Sequence, residues 1–214
     1  MAETPKSPRR RPRGGYIGEA WLVILLAILY GGALAAVQTS LSGRIEQNKR
    51  DQTYDAIPQL VPGADKAKTQ QRLVTGEDGK ESLVYEAIGA DGALKGWVIP
   101  ASGQGFSDRI DLVIGVNASV SQITGLYVLE QKETPGLGDY IRSESFRDRF
   151  RGKPTDRPLV VVKSEPADPH EVRAISGATI SSESVAAIVN QAIGNLKGPI
   201  GRLAAGGGAA AATR

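Results

Sequence analysis

Ala174-Ile175-Ser176-Gly177-Ala178-Thr179-Ile180-Ser181-Ser182 separates a short apolar run from a long helical pattern and reads as a strand-to-helix turn of small residues. From Ser184 onward, Val185, Ile188, Val189, Ala192, Ile193 and Leu196 recur at helical spacing and form one apolar stripe, with Glu183 in the first turn. A helix start carries unpaired backbone N–H groups and the positive end of the helix dipole, so it favours anions. Gly177 and Ala178 leave room for a ligand to approach the backbone, and a phosphate fits such a turn. The alternative is that Ser181 or Ser182 simply caps the helix, a common role for a hydroxyl side chain.

Upstream of this turn the pattern is that of strands. Residues 83–88 and 94–99 alternate in polarity around Gly89-Ala90-Asp91-Gly92, which predicts a hairpin. Residues 109–116 and 122–129 flank a second turn at Asn117 and Ser119 and are expected to pair antiparallel. Residues 143–150 read as a short helix, 158–162 as a buried strand, and 172–175 as the strand that delivers the turn. Tyr85 and Trp97 are expected in the core. The fold class expected is α+β, an antiparallel sheet with a C-terminal helix.

The N-terminal part is of another kind. Residues 1–19 are rich in Pro, Arg and Gly, with Lys6, Arg9, Arg10, Arg11 and Arg13, and are expected to form a disordered basic tail. Residues 20–37 carry no charge; as a helix they span about 27 Å, close to the ~30 Å of a bilayer core. They are expected to form a transmembrane helix with Trp21 at the interface. The basic cluster before it predicts a cytoplasmic N-terminus and an extracytoplasmic remainder, in the inner (cytoplasmic) membrane. The competing reading is a cleaved signal peptide ending near Ala33-Leu34-Ala35; the apolar run exceeds the ~7–15 residues of a signal core, which favours a retained anchor. Residues 38–58 read as a polar helical linker ended by Pro58 and Pro62, 59–198 as the globular domain, and 199–214 as a flexible Gly/Ala tail.

Composition narrows the chemistry. The 214 residues contain no cysteine, which excludes thiolate-held iron–sulfur clusters, thioether-attached haem and Cys-based zinc sites. A redox role then requires another cofactor. The net charge of +3 comes largely from the first residues, and arginines beside an apolar span read as a topology signal rather than a nucleic-acid site. The one histidine, His170, falls in Ala-Asp-Pro-His-Glu and reads as surface loop. No Ser-His-Asp arrangement and no metal-ligand spacing is present in the sequence.

Ser176-Gly177-Ala178-Thr179 followed by Ile180-Ser181 resembles the flavinylation motif of the FMN-binding domain family, found in the G subunit of the Rnf/Rsx electron-transport complex and the C subunit of the sodium-pumping NADH:quinone reductase. Three further segments resemble the family in the family's order. They are Gly105-Phe106-Ser107-Asp108-Arg109-Ile110, then Glu133-Thr134-Pro135-Gly136-Leu137-Gly138-Asp139, then Phe150-Arg151-Gly152-Lys153. The likeness covers about residues 20 to 197. It implies FMN joined through its phosphate to Thr179, with Ser176, Gly177, Ala178 and Ser181 around the attachment point. It also implies that Thr134, Pro135, Gly136, Leu137 and Gly138 lie against the flavin, that Glu133 supports that loop, and that the turn of Phe106 is near the site, with Phe106 itself either a neighbour of the ring or a core residue. Pro135 fixes its own φ while Gly136 and Gly138 permit conformations closed to other residues, which suits a loop pressed on a planar group.

The same resemblance implies an electron carrier in a membrane complex passing electrons between reduced ferredoxin and NAD, coupled to sodium or proton translocation. It implies partner subunits and a flavinyl transferase for maturation. One span without central charge offers no ion path of its own. Two departures from the family stand out: an acidic residue usually lies six positions before the threonine, where this chain has Arg173, and Gln131 occupies a position often held by His. The alternatives are a stand-alone flavin-tethered module of another respiratory reductase, and a membrane-anchored binding domain without flavin.

Overall fold

The computed structural model describes residues 15–210; the expected basic tail therefore lies outside the described residues up to residue 14. The chain divides into two compact units, Met1–Asn48 and Lys49–Arg214.

The first unit contains most of helix α1, Gly15–Leu60, which runs through the end of the expected tail, the apolar run and the expected linker. It is long and apolar enough to cross a membrane, and its apolar side chains, among them Trp21, Leu25, Ile28, Leu29 and Leu34, are exposed. Pro58 does not end this helix; it sits in the last turn, where Val61 N–H still donates to Ile57 O at 2.8 Å. The chain leaves the helix at Pro62 and at Gly63, whose φ of +82° is the left-handed conformation common after a helix C-terminus.

In the second unit the alternating segments form one antiparallel meander. Its strands are β1 Gln70–Thr75, β2 Glu81–Ile88, β3 Leu94–Gln104, β4 Arg109–Asn117 and β5 Ile123–Glu130, neighbours in that order. The period of two sends successive side chains to opposite faces. Trp97, Ile99, Ile110, Leu112, Ile114 and Val116 enter the main core, where α3, Thr179–Ala210, supplies Val185, Ile188, Val189, Ile193 and Leu196. The other face, with Tyr85, Ala87, Val98 and Val113, is covered by Ala56, Ile57, Leu60 and Val61. The domain core thus recruits residues before position 59, and Thr124 Oγ1 donates to Leu60 O at 2.5 Å.

Four elements differ from the sequence expectation. β1 has no counterpart there, because in Gln70–Thr75 only Val74 is buried and no alternation is visible. Residues 158–162 are not a buried strand. Leu159 alone is buried, and β6, Val160–Val162, forms a two-stranded parallel sheet with β7, Glu171–Arg173, leaving Val160 exposed. α3 begins at Thr179 and continues through Pro199 to Ala210, where a flexible tail is expected; buried Ile200 anchors that stretch and its alanines favour helix. The short helical region is α2, Glu144–Arg147, followed by a 3-10 turn Asp148–Phe150.

His170 is not a surface residue: it is 8% exposed, before β7. Its Nε2 lies 2.7 Å from Asp156 Oδ1 and its Nδ1 3.0 Å from Asp168 Oδ1, while Arg157 Nε donates to Nδ1 at 2.9 Å. The Asp168 carboxyl is held below its ordinary 3.8, at about 2, first by the backbone N–H of His170, then by Arg157 and the His170 ring. A depressed acid contributes stability that is complete above its unfolded pKa and is lost as pH falls through its folded one. The Asp168→Asn chain should therefore melt below wild type by a constant margin above about pH 5, and the margin should close as pH falls toward 2 in a thermal-melt series.

Candidate functional site

The turn between β7 and α3 and the first residues of α3 together carry four hydroxyls, Ser176, Thr179, Ser181 and Ser182, and the fold divides them in two. Ser182 is fully buried: its Oγ accepts from Ile175 N–H at 3.0 Å and donates to Ala178 O at 2.9 Å, so it closes residues 175–182 into a loop. Ser181 is 3% exposed, and its Oγ donates to Glu133 Oε2 at 2.5 Å. Ser176 is exposed and Thr179 half-buried, so these two hydroxyls remain reachable. Neither serine expected as a simple cap at the helix start occupies that position, because α3 already begins at Thr179.

The backbone favours an anion at this point. Thr179 is the first residue of a 32-residue helix, whose opening N–H groups have no intrahelical acceptor. Gly177 precedes it with φ +81°, a conformation L side chains rarely adopt, and a Cβ there would also stand 3.1 Å from Leu137 Cδ2.

That contact joins the turn to the Pro-Gly loop. Thr134 O accepts from Leu137 N–H at 3.2 Å and from Asp139 N–H at 3.3 Å, curling the loop around itself. Its base is Glu133, 4% exposed, whose Oε1 accepts from Ser107 N–H at 3.0 Å while Oε2 takes the Ser181 hydroxyl. A side chain at Gly138 would collide with this bond, since its Cβ would lie 2.8 Å from Ser181 Oγ and 2.9 Å from Glu133 Cβ. Lys132 adds a surface ion pair to Asp108 at 3.3 Å, a contact of little energetic weight.

The structure therefore brings three of the expected segments together: the Phe106 turn, the loop Glu133–Gly138 and the turn Ser176–Ser181. Thr134, Pro135, Gly136 and Leu137 are exposed, as are Phe106 (59%) and Ile180 (54%). Glu133, Gly138, Ala178 and Ser181 lie behind them, buried. Gln131, the departure noted in the sequence, accepts from Glu133 N–H through its Oε1. Arg173 turns outward and pairs with Glu165.

Two residues of the site escape a reading of motifs. Ser182 lies beside the motif, but its role depends on a contact to Ile175. Arg149, in the turn after α2, donates to the carbonyls of Arg173 and Ala174, and the only sequence signal for it is its place one residue before Phe150-Arg151-Gly152-Lys153.

Residues 105–194 match the FMN-binding domain family. The chain is 27% identical over 172 residues to the G subunit of the ion-translocating oxidoreductase complex of Methanosarcina acetivorans, covering 80% of this chain and 89% of the relative. It is 31% identical over 164 residues to the G subunit of the Na(+)-translocating ferredoxin:NAD(+) oxidoreductase complex of Acetobacterium woodii, covering 73% of each. Among solved structures it resembles NqrC of Shewanella oneidensis, with a TM-score of 0.53 and 26% identity over 59% of this chain and 63% of that one.

Replacing Glu133 by Ala leaves the Ser107 N–H and the Ser181 hydroxyl without their buried acceptor. The expected loss in urea-unfolding free energy is about 1–3 kcal/mol, the scale of one unsatisfied interior donor at Ser181, since exposed Ser107 can turn its N–H to water. Glu133→Gln, which keeps one acceptor oxygen, should lose less than half as much.

Proposed function

The chain belongs to the FMN-binding domain family, which includes the G subunits of ion-translocating oxidoreductase complexes, and we propose that it is the flavin-bearing electron carrier of such a membrane complex. The observation that carries this reading is the reachable Thr179 hydroxyl at the N-terminus of α3, on a turn whose other helix-start hydroxyls are committed to buried bonds. Thr179 would be joined to FMN by a phosphoester formed with loss of water, and the first N–H groups of α3 would face the phosphate. FMN, when bound, supplies the capacity to take up and release electrons at its ring.

The residues present fit that group. Ser176 and Gly177 leave the approach to Thr179 open, and the exposed Thr134–Leu137 loop with Phe106 offers apolar and main-chain surface to a planar ring. Glu133, Gly138, Ala178 and Ser181 would hold these segments from behind. Maturation would require a flavinyl transferase, and function would require donor and acceptor centres in other subunits. The relatives' names support electron transfer between ferredoxin and NAD coupled to movement of sodium or protons.

In the same reading, residues 20–37 of α1 anchor the chain in the inner membrane. The basic residues before them leave the N-terminus cytoplasmic and the FMN domain extracytoplasmic. Ion movement is assigned to partner subunits, since one span without central charge provides no polar path.

Mass spectrometry of the chain purified from its native membrane tests the attachment. The peptide containing Thr179 should carry the mass of FMN less one water, and Thr179→Ala should remove both that mass and the yellow colour. An unmodified Thr179 peptide from a host that flavinylates other proteins would overturn the covalent reading. Purification of the assembly should yield other oxidoreductase subunits; their absence would overturn the complex assignment.

A further inference from the structure

Arg149, in the 3-10 turn Asp148–Phe150, spends its guanidinium on main-chain carbonyls. Nε donates to Ser145 O at 3.1 Å, and Nη1 donates to Arg173 O at 2.7 Å and to Ala174 O at 3.0 Å. The guanidinium carbon also stands 5.5 Å from the centre of the buried Phe146 ring. The two carbonyls from Arg173 and Ala174 are the last before the loop that leads to Thr179.

The chain is weakly held by the sheet at that point. β7 ends at Arg173 and belongs to a sheet of two strands, and one further main-chain bond, Ala174 N–H to Val162 O at 2.7 Å, follows it. Beyond it, Ile175 N–H is taken by Ser182 Oγ. The entrance to the turn is thus gripped by Arg149 and its exit by Ser182, with exposed Ser176 and Gly177 between them.

We propose that Arg149 is the positioning residue of the attachment turn, setting through the Arg173 and Ala174 carbonyls the direction in which the chain leaves β7 and hence where the Thr179 hydroxyl points. The proposal rests on Thr179 being the point of flavin attachment. Arg149 acts at one remove, through the turn. A planar guanidinium with donors at fixed angles spans two consecutive carbonyls while bonding a third; a lysine has one ammonium group and no donor at the Nε position. The adjacent Arg173 is otherwise engaged, pairing with Glu165 at the surface.

The experiment uses the full chain in detergent, in two forms. In flavin-free protein, hydrogen exchange of the peptide spanning residues 174–182 should quicken about tenfold in Arg149→Met while β3 and β4 keep their protection, the signature of a local opening. When the same variants are produced with a flavinyl transferase, flavin per chain should fall several-fold in Arg149→Met and be partly restored in Arg149→Lys. The midpoint potential of the flavin that does attach should differ from wild type. Unchanged exchange in the turn, or altered exchange with wild-type loading and potential, would overturn the proposal. If Arg149→Met loosens the whole domain, Arg149→Lys decides: faster exchange confined to the turn supports the role, and wild-type behaviour in every readout refutes it. Should the wild-type chain take no FMN, the reading of Thr179 fails, and the exchange comparison still judges what Arg149 holds.

Discussion

The Glu133 carboxyl accepts hydrogen bonds from Ser107, 26 residues before it, and from Ser181, 48 residues after it, while almost wholly removed from solvent. A polar group so placed is costly unless its hydrogen-bonding capacity is met, and both oxygens here have donors. The first bond ties two loops at the same end of the paired strands β4 and β5, and the second adds the start of α3, which pairs with neither strand. Three exposed apolar residues of the site each precede a residue of this junction: Phe106 before Ser107, Leu137 before Gly138, Ile180 before Ser181. The presented surface is thus one residue away from the hydrogen-bonded junction around buried Glu133 that orders it.

This arrangement shows which parts of the molecule are legible as sequence. Two hairpins are, because short apolar, β-branched runs are bounded by Gly, Asp and Asn turn residues, even though the middles of Leu94–Gln104 and Arg109–Asn117 are buried on both faces. β1 is not, because an edge strand with one buried residue carries no periodic signal. α3 is visible from its apolar stripe onward, whereas its first residues carry none of that stripe and read as turn. Its last stretch is obscured by Pro199 and by glycines, which the anchoring of Ile200 overrides. The motif residues draw attention to the site, but the partition of its hydroxyls into buried and reachable is a property of distant partners that no local reading contains. His170 illustrates the same limit: a loop-like Asp-Pro-His-Glu stretch conceals a histidine enclosed by Asp156, Asp168 and Arg157.

The two departures from the family pattern find different places in the structure. Gln131 bonds the amide of Glu133 and so takes part in ordering the loop base. Arg173 projects away into a pair with Glu165, while its carbonyl, the part of it that every residue type possesses, is the atom engaged by Arg149. Side-chain identity at position 173 is therefore separable from the backbone path into the turn.

The division of labour along α3 follows from the directionality of the forces involved. The apolar stripe that seats the helix in the core begins at Val185, about 9 Å along the axis from Thr179 at the usual helical rise. Apolar burial fixes that body against the sheet but is non-directional; Ile175 and Ala178 join the same core before the helix start, and none of the side chains from Thr179 to Ser184 does. Over the first turn and a half the holding contacts are polar: Ser181 to Glu133, and Ser182 to Ile175 and Ala178, with Arg149 upstream. Hydrogen bonds weaken steeply with misalignment, so they define orientation where packing defines only proximity. A hydroxyl that must face one way from an otherwise open turn is held by the kind of contact that can specify a direction.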